Sequence, residues 1–403
     1  MEEWRTYKYT DLCSLIGGGT PKTSESSYWG GDIPWLSVKD FGTGGKYVYS
    51  TEKHITEKGL NNSSTKLLQR DDIIISARGT IGAMAMIPFP MAFNQSCFGI
   101  RANNKVDPHF LFYLTKTKIA ELQTNSHGSV FDTITRDTFD KIECYIPDIS
   151  TQRRIATILS NLDDKILLNN RINHNLEEQA QALYKSWFID FEPFKDGKFV
   201  DSELGMIPDG WHVGTVNEII NIQSGFPFKS ESFVERGQYL LITIKAVQDG
   251  QLTISGADSL DAPLPIKMPN YCILKVGDIL LSLTGNVGRV CIVDRDKLLL
   301  NQRVANLAPK EEHNRAFTYF LARNEKFKDC MYQIARGTAQ LNLSPVETGN
   351  LRIVIPPPDV MNHFSCVATP MFEAITTSLR EMISLQSSRD SLLPQLLSGQ
   401  LTC

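Results

Sequence analysis

The sequence contains no long apolar run, no paired cysteines and no large excess of one charge. No segment approaches the roughly 20 apolar residues that a transmembrane helix needs, and no signal peptide is recognisable. The eight cysteines are scattered, without a CxxC pair or a histidine at metal-ligand spacing. This pattern predicts reduced, mostly buried thiols in a cytoplasmic protein. The net charge of −4 gives no global sign of nucleic-acid binding. The length of 403 residues is enough for two or three domains.

Catalytic motifs are also missing. The stretch "GGGTPKTS" (17–24) resembles a phosphate-binding loop, but Pro21 and Ile16 occupy positions where that loop requires glycine. Asp148 and the run Asp163-Asp164-Lys165 imitate a nuclease motif, yet the run falls in a helical pattern where a solvated face is expected. No nucleophile elbow or zinc-binding motif is present. We therefore predict no catalytic residue, no metal site and no cofactor bound by this chain.

An internal repeat organises the sequence. Its period of just over 200 residues is too long for a solenoid, so each half should be a whole domain with an appendage. Short β-rich runs, a helical stretch and a final strand recur in both halves, which predicts an α+β fold with two duplicated mixed domains. The matched pairs are "GGTPKTSE" (18–25) with "SGFPFKSE" (224–231), "DIIISARGTIG" (72–82) with "DILLSLTGNVG" (278–288), and residues 127–147 with 336–356.

Each half ends in a long helical pattern with a narrow apolar seam at heptad spacing. Such a seam needs a partner along its length, so we predict an antiparallel two-helix coiled coil that separates the domains around a pseudo-twofold axis. Pro370 predicts a break near the start of the second helix. The predicted seam residues are Ile155, Leu159, Leu162, Ile166, Asn169, Asn173, Leu176, Ala180, Leu183 and Trp187 in the first helix, with Phe364, Ala368, Met371, Ile375, Met382, Leu385, Leu392 and Leu396 in the second.

These patterns divide the chain into five segments. Two outer domains alternate with two spacer helices, and a linker that is rich in proline and glycine joins the halves. The predicted boundaries are 1–148 for the first domain, 149–189 for the first helix, 190–204 for the linker, 205–358 for the second domain and 359–403 for the second helix.

Three long motifs resemble the specificity subunits of type I restriction–modification systems. They are "TQRRIATILSNLDDKI" (151–166), "LYKSWFIDFEPFKDGKFVDSELGMIPDGW" (183–211) and "SRDSLLPQLLSGQL" (388–401). The resemblance implies a subunit without catalysis of its own, whose two target recognition domains each read one half of a bipartite, asymmetric DNA site. It also implies that the helices act as a ruler and as a docking surface for partner subunits.

The partners implied by the resemblance are double-stranded DNA, two adenine methyltransferase subunits and the translocating endonuclease subunits. S-adenosylmethionine then belongs to the methyltransferase, and ATP and Mg²⁺ to the endonuclease. No membrane partner is expected. Two alternatives stay open from the residues alone: an autonomous DNA-modifying enzyme and a coiled-coil adaptor that does not bind DNA.

Polar loops that recur in both domains are the candidate DNA contacts. Base edges in the major groove are read by Arg, Lys, Asn, Gln, Ser and Thr side chains. An alternative is that shared motifs form scaffold and that divergent neighbours contact the bases. The candidates are Lys22, Thr23, Ser24, Arg78, Thr80, His127 and Ser129 in the first domain, with Lys229, Ser230, Thr284, Asn286, Arg336, Thr338, Gln340 and Asn342 in the second.

Overall fold

The computed structural model describes residues 4–42, 45–126, 133–337 and 340–401. The chain forms two compact units, and each long helix contributes residues to both of them. The first unit comprises Met1–Leu168 and Ser384–Cys403, and the second comprises Asn169–Ile383.

The first domain contains two four-stranded sheets and a separate strand pair. One sheet has the order β2-β9-β6-β7, the other has the order β4-β3-β8-β5, and β1 pairs with β10. The strands are β1 (Arg5–Lys8), β2 (Cys13–Gly17), β3 (Trp29–Leu36), β4 (Lys53–Ile55), β5 (Leu67–Leu68), β6 (Ile73–Ser76), β7 (Met84–Met86), β8 (Met91–Phe93), β9 (Cys97–Ala102) and β10 (Glu143–Ile146).

The second domain repeats this topology strand for strand. Its sheets have the orders β14-β21-β18-β19 and β16-β15-β20-β17, and β13 pairs with β22. In both domains the third strand pairs in parallel with the strand that follows the central hairpin. The strands are β13 (His212–Thr215), β14 (Ile220–Ser224), β15 (Tyr239–Ile242), β16 (Ser259–Leu260), β17 (Ile273–Leu274), β18 (Ile279–Ser282), β19 (Val290–Ile292), β20 (Leu298–Leu300), β21 (Val304–Pro309) and β22 (Arg352–Ile355). Between the two domains, β11 (Phe199–Val200) and β12 (Ile207–Pro208) form an antiparallel pair.

Helices cover the sheets and extend from them. The two longest helices, α5 and α9, each follow the last strand of a domain, as the sequence predicts. Within the described residues, no helix is both long and apolar enough to cross a membrane. The helices are α1 (Val38–Phe41), α2 (Glu57–Asn61), α3 (Pro108–Ser126), α4 (Arg136–Asp140), α5 (Ile149–Phe188), α6 (Arg315–Arg323), α7 (Glu325–Ile334), α8 (Pro345–Gly349) and α9 (Pro358–Leu397).

Strand β6 explains why the repeat keeps an unbroken apolar run. All of its residues are buried, and alternate side chains of a strand point to opposite faces. Ile73 and Ile75 pack in the cluster that includes α3 and α5, while Ile74 packs in the cluster between the two sheets. A strand covered on both faces needs apolar residues throughout, so β6 and its counterpart β18 show no alternation.

The long helices pair antiparallel inside each unit. In the first unit, Ile155 and Leu159 of α5 pack with Leu396 and neighbouring leucines of α9. In the second, Asn169 donates a hydrogen bond to Glu381 (2.7 Å), and Phe188 contacts Phe364 with ring centroids 4.8 Å apart. Residue numbers rise along α5 as those of the contacting residues fall along α9.

The expected break at Pro370 is wrong, because α9 runs without interruption from Pro358 to Leu397. Pro370 is exposed, and its missing N–H removes the partner of the carbonyl group of Cys366, which is also exposed. Water can therefore hydrogen-bond that carbonyl group. The buried residues Ala368 and Phe372 hold both sides of the proline against the domain core.

A buried ionic group joins the first domain to both helices. The Tyr113 hydroxyl donates to Asp163 of α5 (2.6 Å), and Arg389 of α9 donates to the other oxygen of the same carboxylate (2.7 Å). Burial, and then the charge of Asp163, raise the pKa of Tyr113 well above its ordinary range, so this hydroxyl stays a donor. Asp163, which the sequence placed on a solvated face, is 8% exposed.

We expect Arg389→Ala to lower the free energy of unfolding by about 3 kcal/mol, because it leaves the Asp163 carboxylate buried without its cation. The corresponding drop in Tm is roughly 6 to 12 °C for a unit of this size, measured by differential scanning calorimetry. Arg380→Ala, an exposed change on the same helix, is the matched control. Asp163→Asn combined with Arg389→Met should recover most of the loss, and equal melting of Arg389→Ala and Arg380→Ala would contradict this account.

Thiol reactivity should follow burial. Burial raises the pKa of Cys13 and of Cys97 to about 12, so only about one thiol in 10⁴ is ionised at pH 8. Cys366 is exposed on α9. In a background with Cys330→Ser and Cys403→Ser, which removes the half-buried Cys330, we expect Cys366 to react rapidly with Ellman's reagent at pH 8, and the buried cysteines to react only after unfolding. Cys366→Ser should abolish the rapid phase, and rapid labelling that persists would show that a buried thiol is reachable.

Candidate nucleic-acid interface

The glycines of the opening motif serve close packing of the backbone. A Cβ atom on Gly18 would lie 2.0 Å from the carbonyl oxygen of Asn94, and one on Gly19 would lie 2.3 Å from the backbone nitrogen of Thr65. Gly225, the counterpart of Gly19 in the second domain, has the same constraint, because its Cβ would lie 2.3 Å from the carbonyl oxygen of Asn301. These glycines let the loop pack directly against the sheet, beside β8 in the first domain and beside β20 in the second.

The polar residues after those glycines are exposed. Lys22, Thr23 and Ser24 form a turn whose backbone is fixed, since the Lys22 carbonyl accepts from the Glu25 N–H (3.1 Å) and from the Trp29 indole (3.3 Å). In the second domain Lys229 and Ser230 are exposed at the start of a short 3₁₀ turn. The motif therefore joins scaffold glycines to a polar turn that faces solvent.

Two adjoining clefts form a groove on the first domain, which we call the first-domain groove. The clefts share Glu52 and Lys53. The groove is lined by Thr23, Trp29, Gly30, Gly31, Trp35, Ser37, Val38, Lys39, Asp40, Glu52, Lys53, His54, Arg78, Gly79, Asn94 and Ser96.

Basic side chains outnumber acidic ones in the first-domain groove, which contains Lys39, Lys53 and Arg78 against Asp40 and Glu52. The Asp40 carboxylate accepts hydrogen bonds from the backbone N–H groups of Ser37 (2.7 Å) and Glu52 (2.8 Å), so its oxygens are occupied. Arg78 and Lys39 are exposed, and neither makes an ion pair with another residue that the structure describes. Unpaired cations beside hydrogen-bonding side chains are suited to a polyanion that also carries base edges.

The turn that carries Arg78 has a fixed backbone. Gly79 has a φ of +74°, which few other residues adopt readily. The Ala77 N–H donates to the Ser96 carbonyl (2.8 Å), and the Ala77 carbonyl accepts from the N–H of Ile134 (3.0 Å). Thr80 is exposed, and its carbonyl oxygen accepts from the Ser76 hydroxyl. Arg78 and Thr80 thus extend from a rigid turn.

The corresponding turn in the second domain lies against residues 341–343. Gly285 has a φ of +75°, and its N–H donates to the Leu341 carbonyl (2.8 Å). Thr284 is 4% exposed, and its hydroxyl donates to the amide oxygen of Asn342 (3.0 Å). The structure therefore brings two of the candidate segments together in this domain, and it uses Thr284 internally.

The remaining candidates differ in exposure and placement. Asn286 and Gln340 are exposed, while Arg336 is exposed but forms an ion pair with Glu347. Among the described residues, no hydrogen bond joins Lys229 or Ser230 to the 284–286 turn. His127, Ser129 and Thr338 lie outside the described residues.

Sequence reasoning missed most of the first-domain groove. Trp29 of β3, Lys39 of α1, Lys53 and His54 of β4, and Asn94 of a loop are distant in sequence, and only the fold assembles them. One signal was available, because the repeat offset of 206 pairs Lys39 with Lys245, which is also exposed. Within the part of the chain that the structure describes, no cluster of three His, Cys, Asp or Glu residues could hold a metal ion.

Known proteins match this chain over most of its length. The family model described as "Type I restriction modification DNA specificity domain" matches residues 1–178 and 208–360. The MjaIX specificity subunit of a type I restriction enzyme from Methanocaldococcus jannaschii is 32% identical, over 99% of this chain and 94% of that protein. The HindI specificity subunit from Haemophilus influenzae is 25% identical, over 74% of this chain and 78% of that protein.

A solved structure shares the fold. The type I restriction–modification S subunit from M. genitalium superimposes with a TM-score of 0.57 and 16% identity, over 98% of this chain and 96% of that one. The family model covers both duplicated domains and most of α5, the elements that the repeat analysis identifies. The chain therefore belongs to the type I restriction–modification DNA specificity family.

Proposed function

We propose that this chain is the subunit through which a type I restriction–modification complex recognises its DNA site, and that each domain reads one half of a bipartite, asymmetric sequence. The observation that carries the proposal is the pair of matching turns, Arg78-Gly79-Thr80 and Thr284-Gly285-Asn286. Their backbones follow the same path, whereas their exposed side chains differ. A shared scaffold with different polar side chains is what two different half-sites require.

The proposed DNA-contacting surface consists of the exposed residues in these turns and in the first-domain groove. A polar turn on a rigid scaffold presents its side chains with little loss of conformational entropy. Phosphate contacts would position the domain, while side chains on the turns would contact base edges in the major groove. The exposed candidates are Lys22, Thr23, Ser24, Arg78 and Thr80 in the first domain, with Lys229, Ser230, Asn286, Arg336 and Gln340 in the second.

We assign the role of a ruler to α5 and α9. Each has 40 residues and so extends over about 60 Å, which is between one and two turns of B-DNA. The antiparallel seam contains buried polar residues such as Asn169, and a polar seam residue favours one register at a cost in stability. A fixed register would hold the unspecified spacer between half-sites to one length.

The partners in this proposal are double-stranded DNA, two adenine methyltransferase subunits and endonuclease subunits. The support is that the curated relatives are named as subunits of type I restriction enzymes, so the chemistry lies in other chains. S-adenosylmethionine would be bound by the methyltransferase, and ATP and Mg²⁺ by the endonuclease. We place the assembled complex in the cytoplasm, where its DNA substrate is found.

The test is to produce the chain with the methyltransferase of the same system in a host that lacks adenine methylation. Modified adenines are then mapped across the genome by single-molecule sequencing. We expect one asymmetric motif, two short half-sites around a gap of fixed length, and no modification from either protein alone. Replacing residues 1–148 by those of a relative should change one half-site only.

The negative outcomes separate the alternatives. A stable complex that leaves the genome unmodified would favour the adaptor. Modification by the purified chain without a partner would show that it is itself an enzyme. The ruler is tested separately with the double variant Asn169→Leu and Glu381→Leu, which removes the hydrogen bond between α5 and α9. Gaps of mixed length between unchanged half-sites would show that the helix seam sets the spacing.

A further inference from the structure

The matching turns Arg78-Gly79-Thr80 and Thr284-Gly285-Asn286, which we call the recognition turns, have similar backbones but differ in which side chains are exposed. At the repeat offset, Arg78 corresponds to Thr284 and Thr80 to Asn286. The residue before each turn accepts a matching hydrogen bond, since the Ile134 N–H donates to the Ala77 carbonyl (3.0 Å) and the Leu343 N–H donates to the Leu283 carbonyl (2.7 Å). The turns are therefore held in the same place on the two scaffolds.

In the first domain this place presents a guanidinium group. Arg78 is exposed and makes no ion pair with any other described residue. It lies in the same groove as Lys39, a second cation. An arginine fork has five N–H donors in a plane and no acceptor, so it favours a partner with two adjacent acceptors. In the major groove guanine supplies such a pair, O6 and N7.

In the second domain the same place presents carboxamides. Thr284 is buried and bonded to Asn342, which removes it from solvent. Asn286 is exposed on the turn, and the Gln340 amide nitrogen lies over Gly285, only 3.3 Å from the position of a Cβ atom there. Neither carboxamide makes a hydrogen bond within the residues that the structure describes.

A carboxamide carries a donor and an acceptor side by side, which matches the N6 donor and N7 acceptor of adenine. The adenine that becomes methylated has to leave the base stack to reach the methyltransferase. The carboxamides would therefore contact a different A·T pair, one that remains stacked in the duplex.

We propose that this turn determines base identity in both domains through different chemistry. Arg78 selects a G·C pair in the half-site of the first domain. Asn286 and Gln340 select an unmodified A·T pair in the half-site of the second domain. This inference rests on the proposed function and adds to it the base pairs that the two turns recognise.

The experiment uses the complete complex, with the methylated motif mapped as above for the wild type and for variants of each turn. The first-domain variants are Arg78→Gln and Arg78→Lys, with Arg70→Gln as the control, since Arg70 is exposed on a different turn of the same domain. The second-domain variant is Asn286→Ala with Gln340→Ala, and its control is Gln333→Ala, an exposed glutamine on α7. Co-purification with the methyltransferase and the Tm verify that each variant folds.

We expect Arg78→Gln to reduce the preference for guanine at one position of one half-site by about tenfold to a hundredfold, and to leave the other half-site unchanged. Arg78→Lys, which keeps a donor and the charge, should retain guanine with a smaller preference and carries the test if Arg78→Gln does not assemble. The carboxamide variant should relax one A·T position of the other half-site. Both controls should keep the wild-type motif.

Two results would overturn the inference while the proposed function stands. One is a wild-type motif from Arg78→Gln and from the carboxamide variant. The other is uniformly weaker methylation at every site with an unchanged motif, which would identify a phosphate contact. Absence of a bipartite motif with the wild-type protein is a separate result, because it would contradict the proposed function itself.

Discussion

The hydrogen bond from a tyrosine hydroxyl to a carboxylate of α5 joins each domain to the helical part of its unit. Tyr113 donates to Asp163 (2.6 Å) in the first unit, and Tyr319 donates to Glu177 (2.9 Å) in the second. Tyr113 lies on α3 and Tyr319 on α6, and these two helices pack on the sheets that carry the recognition turns. The attachment therefore helps to fix each turn relative to the part of α5 in its own unit. In both cases a charged partner completes the group, Arg389 in one unit and Arg323 (3.0 Å) in the other.

The two attachments also show where the duplication has diverged. The repeat offset of 206 pairs Tyr113 with Tyr319, but both carboxylates lie on α5. Along the long helices the repeat offset is 209, so a strict repeat would place the second carboxylate on α9 at the position of Phe372. Tyr319 instead contacts that ring edge-on, with centroids 5.5 Å apart. An aromatic contact thus occupies the site of the first unit's ion pair, and a new ion pair has formed one helix away. Both tyrosines donate to a carboxylate, but the carboxylates occupy different positions in the repeat.

The sequence predicted those features that repeat or that have a period. The duplication predicted two mixed domains of the same fold, and the heptad seam predicted two paired helices. It did not predict that Thr284 is buried while Arg78 is exposed, because the two residues occupy the same position in the repeat and differ only in what the neighbouring loop does. The loop at Asn342 lies 58 residues away in sequence from the hydroxyl that it binds, and no local pattern encodes that contact.

Pro370 shows the opposite limit, where a local rule is overridden by tertiary structure. The rule assigns proline a cost in a helix interior, yet α9 continues through it because the unpaired carbonyl group is exposed to water and the flanking residues are buried.

The first-domain groove was missed for a related reason. Its residues come from β3, β4, α1 and several loops, so their proximity is a property of the folded domain rather than of any stretch of sequence.

The division of both long helices between the two units interlaces the N-terminal and C-terminal halves of the chain. The first unit includes residues from Ser384 onward, and the second includes those of α5 from Asn169 onward. A single backbone cleavage in the 190–204 linker would therefore give two fragments, each of which supplies a segment that the other needs to complete its fold. Each half of the chain therefore contributes helix residues to the compact unit formed mainly by the other half.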